Sequence, residues 1–425
     1  MSVRFITLAL FAAAALGLGG AAATTEAHAQ PTAPDTYVAY WDGVGNQAFT
    51  AAAPADGTEG IVIFAYLGIA EYDAVTAIEG GYQPFAVEVD APEGASPEAA
   101  VAAAAHAILV HYLPPQAATI LDPAYLQSLA TIPDGQAKED GVATGEQVAA
   151  TLIAQRADDG FREAVGYIPP DPPIPGVWIP TLPSPPLGTY LPQMRPFSLD
   201  SPDQFRPGGP PSLSSRRWVE DYNEVQEIGS RTSTTRPPEQ TLAARFWGEP
   251  PLQQAHAGFR RFVLDQGLDI VDASRFMAMV TVVRADALIA CMEAKYHYAF
   301  WRPITAIRAG ETDGNEATVA DPSWLPLLPV TPNHPEYPSA HSCLTPSSAR
   351  VIARFLGTNQ IDYTVPSITG LGDRHYDTVK DLTYEVGNAR IWGGIHYRSA
   401  IEDGTRLGMK VAHQVLAHHF HRAGG

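Results

Sequence analysis

Lys295–Pro303 reads KYHYAFWRP, His334–Ser342 reads HPEYPSAHS and Ala389–Arg398 reads ARIWGGIHYR. These pieces supply one lysine (Lys295), two well-placed arginines (Arg302 and Arg390) and two histidines (His341 and His396), with a Ser-Ala-His turn at 339–341. Arginine offers a planar fork of N–H donors and lysine a point charge. Three fixed cations therefore suit a tetrahedral oxyanion such as phosphate or vanadate. A mere anion sink has no need of two imidazoles: one can attack or coordinate the central atom while the other moves protons.

Each piece also has a plain reading. Lys295 and Arg302 are seven apart, two helical turns, and share a side. Taken alone, Lys295 is a surface lysine near a helix end, where the dipole favours cations. Arg302, between Trp301 and Pro303, sits where a solvated arginine is out of place. Tyr337-Pro338-Ser339-Ala340-His341 forms a tight turn leading into a helix, whose free backbone N–H groups make an anion site. There Ser339 either adds a donor or only caps the helix, and His341 stands at the mouth. Arg390 and His396 bracket Trp392-Gly393-Gly394, where two glycines let the backbone turn sharply and approach a ligand or a neighbouring helix. Asp403, seven beyond His396, falls on the same helical face and is a candidate orienter of its imidazole.

Outward from these pieces, the chain has 425 residues and a net charge of -19, which argues against nucleic acid or an anionic membrane as partner. A cationic pocket must then be local. Arg4, the apolar run Phe5–Leu18 and Ala27-His28-Ala29 form a signal peptide over residues 1–29, with cleavage after Ala29. The mature protein is expected to be secreted or periplasmic, with no membrane attachment. The two cysteines, Cys291 and Cys343, lack zinc-type spacing; two buried free thiols stand slightly ahead of a disulfide.

Helical periodicity predicts helices over 61–78, 96–112, 124–129 and 138–158. It resumes over 218–228, 238–247, 252–266, 272–300, 342–356, 377–391 and 396–421. Residues 30–60 are rich in Ala, Gly and Pro, with Tyr37, Tyr40 and Trp41 as anchors. Residues 165–213 hold PPDPPIPGVWIPTLPSPP, which excludes helix and central strand. Their large apolar side chains, among them Trp178, Tyr190 and Met194, favour an ordered wrap over a solvated linker. The expected fold is all-α: a large helical-bundle domain with a Pro-rich extended wrap and almost no sheet. It comprises an N-terminal helical region (30–164), the extended segment (165–213) and a helical region carrying the motifs (214–425).

The order and spacing of the pieces resemble the signature of the vanadium-dependent haloperoxidase and type 2 phosphatidic acid phosphatase superfamily: Lys, six residues, Arg-Pro; then Pro-Ser-small-His; then Arg, five residues, His. The run ending Phe300-Trp301-Arg302-Pro303 is closer to the soluble haloperoxidase branch. The resemblance implies that Lys295, Arg302, Ser339, the backbone N–H of Ala340 and Arg390 bind the oxyanion. It further implies that His396 ligates vanadium and that His341 is the acid–base residue, with Lys295 polarising bound peroxide. Vanadate is the implied cofactor, and phosphate is a second occupant for the same pocket. Hydrogen peroxide, a halide and a small organic acceptor are the implied partners; oligomeric state is left open. Ala340 stands where the family usually has Gly, and Ala400 where the phosphatases usually have Asp. The partner of the His396 Nδ1 atom is either Asp403 or a backbone carbonyl.

His334 lies five residues before Ser339. At the matching position chloride-oxidising relatives resemble one another in having Phe and bromide-oxidising ones in having His, so His334 implies bromide or iodide as substrate. The alternatives are an exported acid phosphatase working through a phosphohistidine, and a non-catalytic oxyanion-binding protein.

Overall fold

The computed structural model describes residues 36–424, so the expected signal segment lies outside the described residues. These residues form thirteen α-helices and one two-stranded antiparallel sheet, the almost sheet-free helical architecture that the sequence implies.

The long helix α9 (Ile270–Tyr298) is the axis of the molecule. It starts where the Asp269 side chain accepts a hydrogen bond from Asp272 N, an N-cap three residues ahead of the expected start. Nearly every residue from Ala273 to Lys295 is buried, because α2 (Glu59–Glu79), α11 (Ala340–Leu356) and α13 (Arg398–His418) pack around it. α2 is long and apolar enough to cross a membrane, yet most of it is buried inside the protein. α3 (Pro97–Tyr112), capped by Ser96, packs on α2 and on α5 (Gln136–Arg156).

α11 and α13 approach closely. A methyl at Gly408 would lie 2.0 Å from the Cys343 carbonyl oxygen, so only glycine allows this contact. It brings the start of α11 against α13, where Ser339 N donates to the Ala400 carbonyl at 3.0 Å. Cys291 and Cys343 are both free and buried.

Three local expectations change. Tyr37–Ala52 is a helix, α1, which the sequence did not announce, and Tyr37, Tyr40 and Trp41 anchor it in the core. Pro303 ends one helix and starts another: Ala299 takes a left-handed φ of 45°, and α10 (Pro303–Arg308) follows with Pro303 in its first turn. Gln360–Val365 and Arg374–Thr378 are antiparallel strands β1 and β2, and β1 alternates exposed and buried residues as a half-buried strand must. The Pro-rich segment is an ordered wrap: Trp178 is fully buried, its N–H donates to the Ala299 carbonyl at 2.6 Å, and Leu187 N donates to the Asn333 carbonyl at 2.9 Å.

Candidate active site

The break between α9 and α10 fixes the first two cations. Lys295 lies in the last turn of α9 and Arg302 is the extended residue before Pro303; both are fully buried. The Lys295 ammonium donates to the carbonyls of Pro335 and Glu336 at 2.8 and 2.9 Å. Arg302 donates to the carbonyls of Pro332, His334 and Ile395 at 3.0–3.1 Å, which ties the 332–336 loop to the turn before α13. Burial pushes Lys295 down to about 8 and Arg302 down to about 10.

The third cation, Arg390, belongs to α12 (Val379–Trp392) and is buried. It donates to the Trp247 carbonyl, and its Nε has no partner. Burial, and then the charge of Arg302, push it down to about 9. After α12 the chain reverses through Gly393-Gly394. Gly394 has φ 77°, and a side chain there would strike the Gly229 carbonyl oxygen at 2.4 Å. The glycine pair thus serves close packing against the end of α6 (Arg216–Ile228).

His396 follows that turn and is buried. Its Nδ1 lies 2.8 Å from Glu336 Oε1, which also accepts the Tyr397 N–H at 3.0 Å. With two N–H groups converging on Oε1, His396 is the Nδ1–H tautomer and its Nε2 carries the lone pair. Nε2 accepts from Arg302 Nη1 at 3.2 Å. Burial, followed by Arg302, Lys295 and Arg390, holds the imidazole well below the usual histidine range. Burial raises the Glu336 carboxyl to about 8, against the pull of Lys295, the Tyr397 N–H and Arg302. Oε1 accepts both bonds whether or not Oε2 carries a proton.

The expectation for Asp403 is corrected. Its carboxylate accepts the Tyr337 hydroxyl at 2.7 Å and pairs with Arg406, and Glu336 holds His396 instead. Helical spacing placed Asp403 on the His396 face, but His396 precedes the first residue of α13 and its ring points to the 334–338 loop.

Ser339 is the N-cap residue of α11, fully buried, and its hydroxyl makes no cap bond. Ala340 opens the helix with an ordinary negative φ, so its methyl costs nothing at this position, and its N–H lies among the first-turn donors that a helix leaves unpaired. His341 follows, half-buried; burial, then Arg390, Arg284 and Lys295, keep it well below the usual histidine range. His334 is buried, not a solvated loop residue, and its Nδ1 lies 3.1 Å from Arg302 Nη2.

His334, Ala340, His341, Arg390 and His396 line one end of a cavity of about 540 Å³ whose other walls are largely apolar, among them Phe49, Trp247, Phe259, Leu288, Met292 and Leu344. Of the three buried cations only Arg390 lines that end, with its Nε unpartnered, while Lys295, Arg302 and the single carboxyl Glu336 are buried behind it. That charge imbalance fits a multiply charged tetrahedral oxyanion, with a neutral imidazole nitrogen positioned to act on its central atom. Arg195 and Arg206 of the wrap are not part of it: Arg195 donates to the Gln155 carbonyl and Arg206 pairs with Glu293.

Comparison with known proteins bears on the fold that carries this site. The VCPO second helical-bundle domain matches residues 275–425, which contain all three sequence pieces. A vanadium chloroperoxidase from Curvularia inaequalis is 24% identical over 380 residues, covering 67% of this chain; the match spans 62% of that relative's length. The crystal structure of a bacterial vanadium-dependent iodoperoxidase superposes with a TM-score of 0.79 at 24% identity, covering 92% of this chain and 98% of that one. A holo-type bacterial vanadium-dependent chloroperoxidase superposes with a TM-score of 0.69 at 18% identity, covering 85% and 91%. The chain therefore has the vanadium-haloperoxidase fold, and its residues 275–425 match the VCPO second helical-bundle domain.

Proposed function

We propose that the chain is a vanadate-dependent haloperoxidase that oxidises bromide or iodide with hydrogen peroxide and delivers the oxidised halogen to a small organic acceptor. The observation that carries this reading is the neutral His396, its Nδ1 fixed by Glu336 at 2.8 Å, set among Lys295, Arg302 and Arg390. Vanadate, when bound, supplies a Lewis acid that activates peroxide without change of oxidation state.

The chain's own groups do the rest. Lys295, Arg302 and Arg390 neutralise the oxyanion charge, with the Ser339 hydroxyl and the Ala340 N–H as further donors. His396 Nε2, its lone pair set by the Glu336 contact at Nδ1, is the nitrogen that would hold the metal. His341, kept neutral by its surroundings, accepts the proton of hydrogen peroxide and returns one to the leaving oxygen. Lys295, held by the Pro335 and Glu336 carbonyls, would place a positive charge beside the oxyanion and so favour halide oxidation there. His334 in the wall brings a polar ring where chloride, the most strongly hydrated and hardest to oxidise of the three halides, gains from a dry wall.

The same cage could accept a phosphomonoester, but Ala400 stands where the phosphatases usually carry Asp. Two assays separate the readings: hydrolysis of p-nitrophenyl phosphate without vanadate, and bromide oxidation with vanadate and peroxide. Turnover in the second assay alone is the expected result; turnover in the first alone overturns the proposal.

A further inference from the structure

One buried cation in the same cavity is not among the three cations of the oxyanion cage, although its charge reaches His341. Arg284 lies on α9 eleven residues before Lys295, with Leu288 and Met292 between them on the cavity-lining face. At a rise of 1.5 Å per residue it sits roughly 16 Å up the helix from Lys295. It is only 4% exposed.

Among the described residues Arg284 has no acidic partner. Its Nη1 donates to Ser348 Oγ at 3.1 Å, its Nε has no partner, and its guanidinium stands 5.5 Å from the Phe259 ring centroid. No carboxylate is among the charges that act on it, and Asp42 and Asp286 are committed elsewhere: Asp42 to His256 and Arg260, and Asp286 to the backbone N–H groups of Phe197, Ser198 and Leu199. Tyr363 also lines the cavity, and burial raises its hydroxyl, so it remains neutral and supplies no counter-charge. Burial pushes Arg284 itself down to about 10. A buried guanidinium held by one serine and one ring is costly unless an anion joins it.

The surroundings define that anion. The cavity that Arg284 and His341 share has apolar walls, among them Leu288, Leu344, Ile352 and Phe259. Ser348, which holds Arg284, is two turns along α11 from His341, roughly 10 Å. We propose that Arg284 binds the carboxylate of an apolar organic acid whose hydrocarbon body fills this cavity and whose far end reaches the oxyanion site. Hydrophobic burial holds the body and the arginine fork fixes its direction. As the identity of the halogen acceptor, this rests on the haloperoxidase reading; as a binding site, it does not.

The test uses the full chain without vanadate and two probes of nearly equal shape, 2-naphthoate and 2-naphthylmethanol, titrated by calorimetry. The expected result is naphthoate bound at least about tenfold tighter than the alcohol, as for a hydrogen bond to a charged group. Arg284→Met should remove that preference while leaving alcohol affinity within about twofold, and Arg284→Lys should keep naphthoate the preferred probe. Orthovanadate should not compete with naphthoate. Equal affinity of wild type for the two probes, binding of neither, an unchanged preference in Arg284→Met, or competitive displacement by vanadate would each overturn the proposal. Because no step needs turnover, failure here is distinct from failure of the haloperoxidase reading, which shows only as missing vanadate-dependent halide oxidation.

Discussion

Glu336 Oε1 lies 2.8 Å from His396 Nδ1, and this contact determines which imidazole nitrogen faces the oxyanion cage. A backbone carbonyl would fix the tautomer as well; the Glu336 carboxyl does so beside Lys295 and Arg302, whose charges pull against the burial that raises it.

Glu336→Ala should therefore weaken vanadate binding by about 10- to 100-fold, the usual cost of losing such a supporting contact. Glu336→Gln, which keeps an acceptor oxygen, should lose less. Equilibrium titration with vanadate, read from tryptophan fluorescence, checks the order; an alanine variant that binds as tightly as wild type removes Glu336 from the account.

Arg390 carries the unpartnered donor of the cage. Arg390→Met should lower kcat/KM for halide oxidation by about 3 kcal/mol, as for removal of one oxyanion donor. Arg302 also holds three carbonyls of the surrounding loops, so Arg302→Met should lose a similar amount of activity and stability as well. Steady-state rates beside thermal melts separate the two; a loss below about tenfold for both variants would place the oxyanion elsewhere.

His334 makes two predictions. His334→Phe should raise chloride oxidation relative to bromide, as read from rates with each halide at mildly acid pH. The second concerns stability. In the fold, burial, then Lys295 and Arg302, depress His334 well below its usual value, whereas the unfolded chain protonates it below about pH 6.5. The unfolded state then binds the extra proton, so this residue's contribution weakens as pH falls. Between pH 7.5 and 5.5 wild type should lose about 1.4 kcal/mol relative to His334→Phe. Urea unfolding of both proteins at the two pH values checks it; a constant difference would mean that His334 takes up its proton equally in the folded and unfolded states.

Gly408 allows α11 to meet α13. Gly408→Ala places a methyl 2.0 Å from the Cys343 carbonyl oxygen and should cost about 1–3 kcal/mol, as overpacking does. The helices can relieve the clash only by separating, which displaces the Ser339 turn, so activity should fall along with the urea midpoint. Full stability and activity in this variant would show that the α11–α13 contact is looser than described.

Much of this was legible in the sequence because it is local. The helix of Lys295, the turn at Ser339 and the glycine pair before His396 are spacing signals, and each appears close to where spacing put it. The Glu336 contact was not read, although HPEYPSAHS carries the carboxyl in plain view: its partner is sixty residues away, and the search for an orienter followed α13 by helical period. Arg284 sits in the apolar run VTVVRADALIA, where periodicity says only that it is buried, not that it lacks a counter-ion. α1 was missed because Gly43, Gly45 and Asn46 weaken its propensity, and burial against the core overrides that. β1 and β2 are five or six residues long and stabilised by each other, a pairing no local pattern announces.

The central claim is tested most directly by bromination of monochlorodimedone with hydrogen peroxide and bromide, using protein stripped of oxyanion and then titrated with orthovanadate. The account predicts no turnover in the stripped protein, saturable recovery as vanadate is added, and none at any vanadate concentration in a folded His396→Ala variant. Bromination that is independent of vanadate, or that survives the loss of His396, would contradict it.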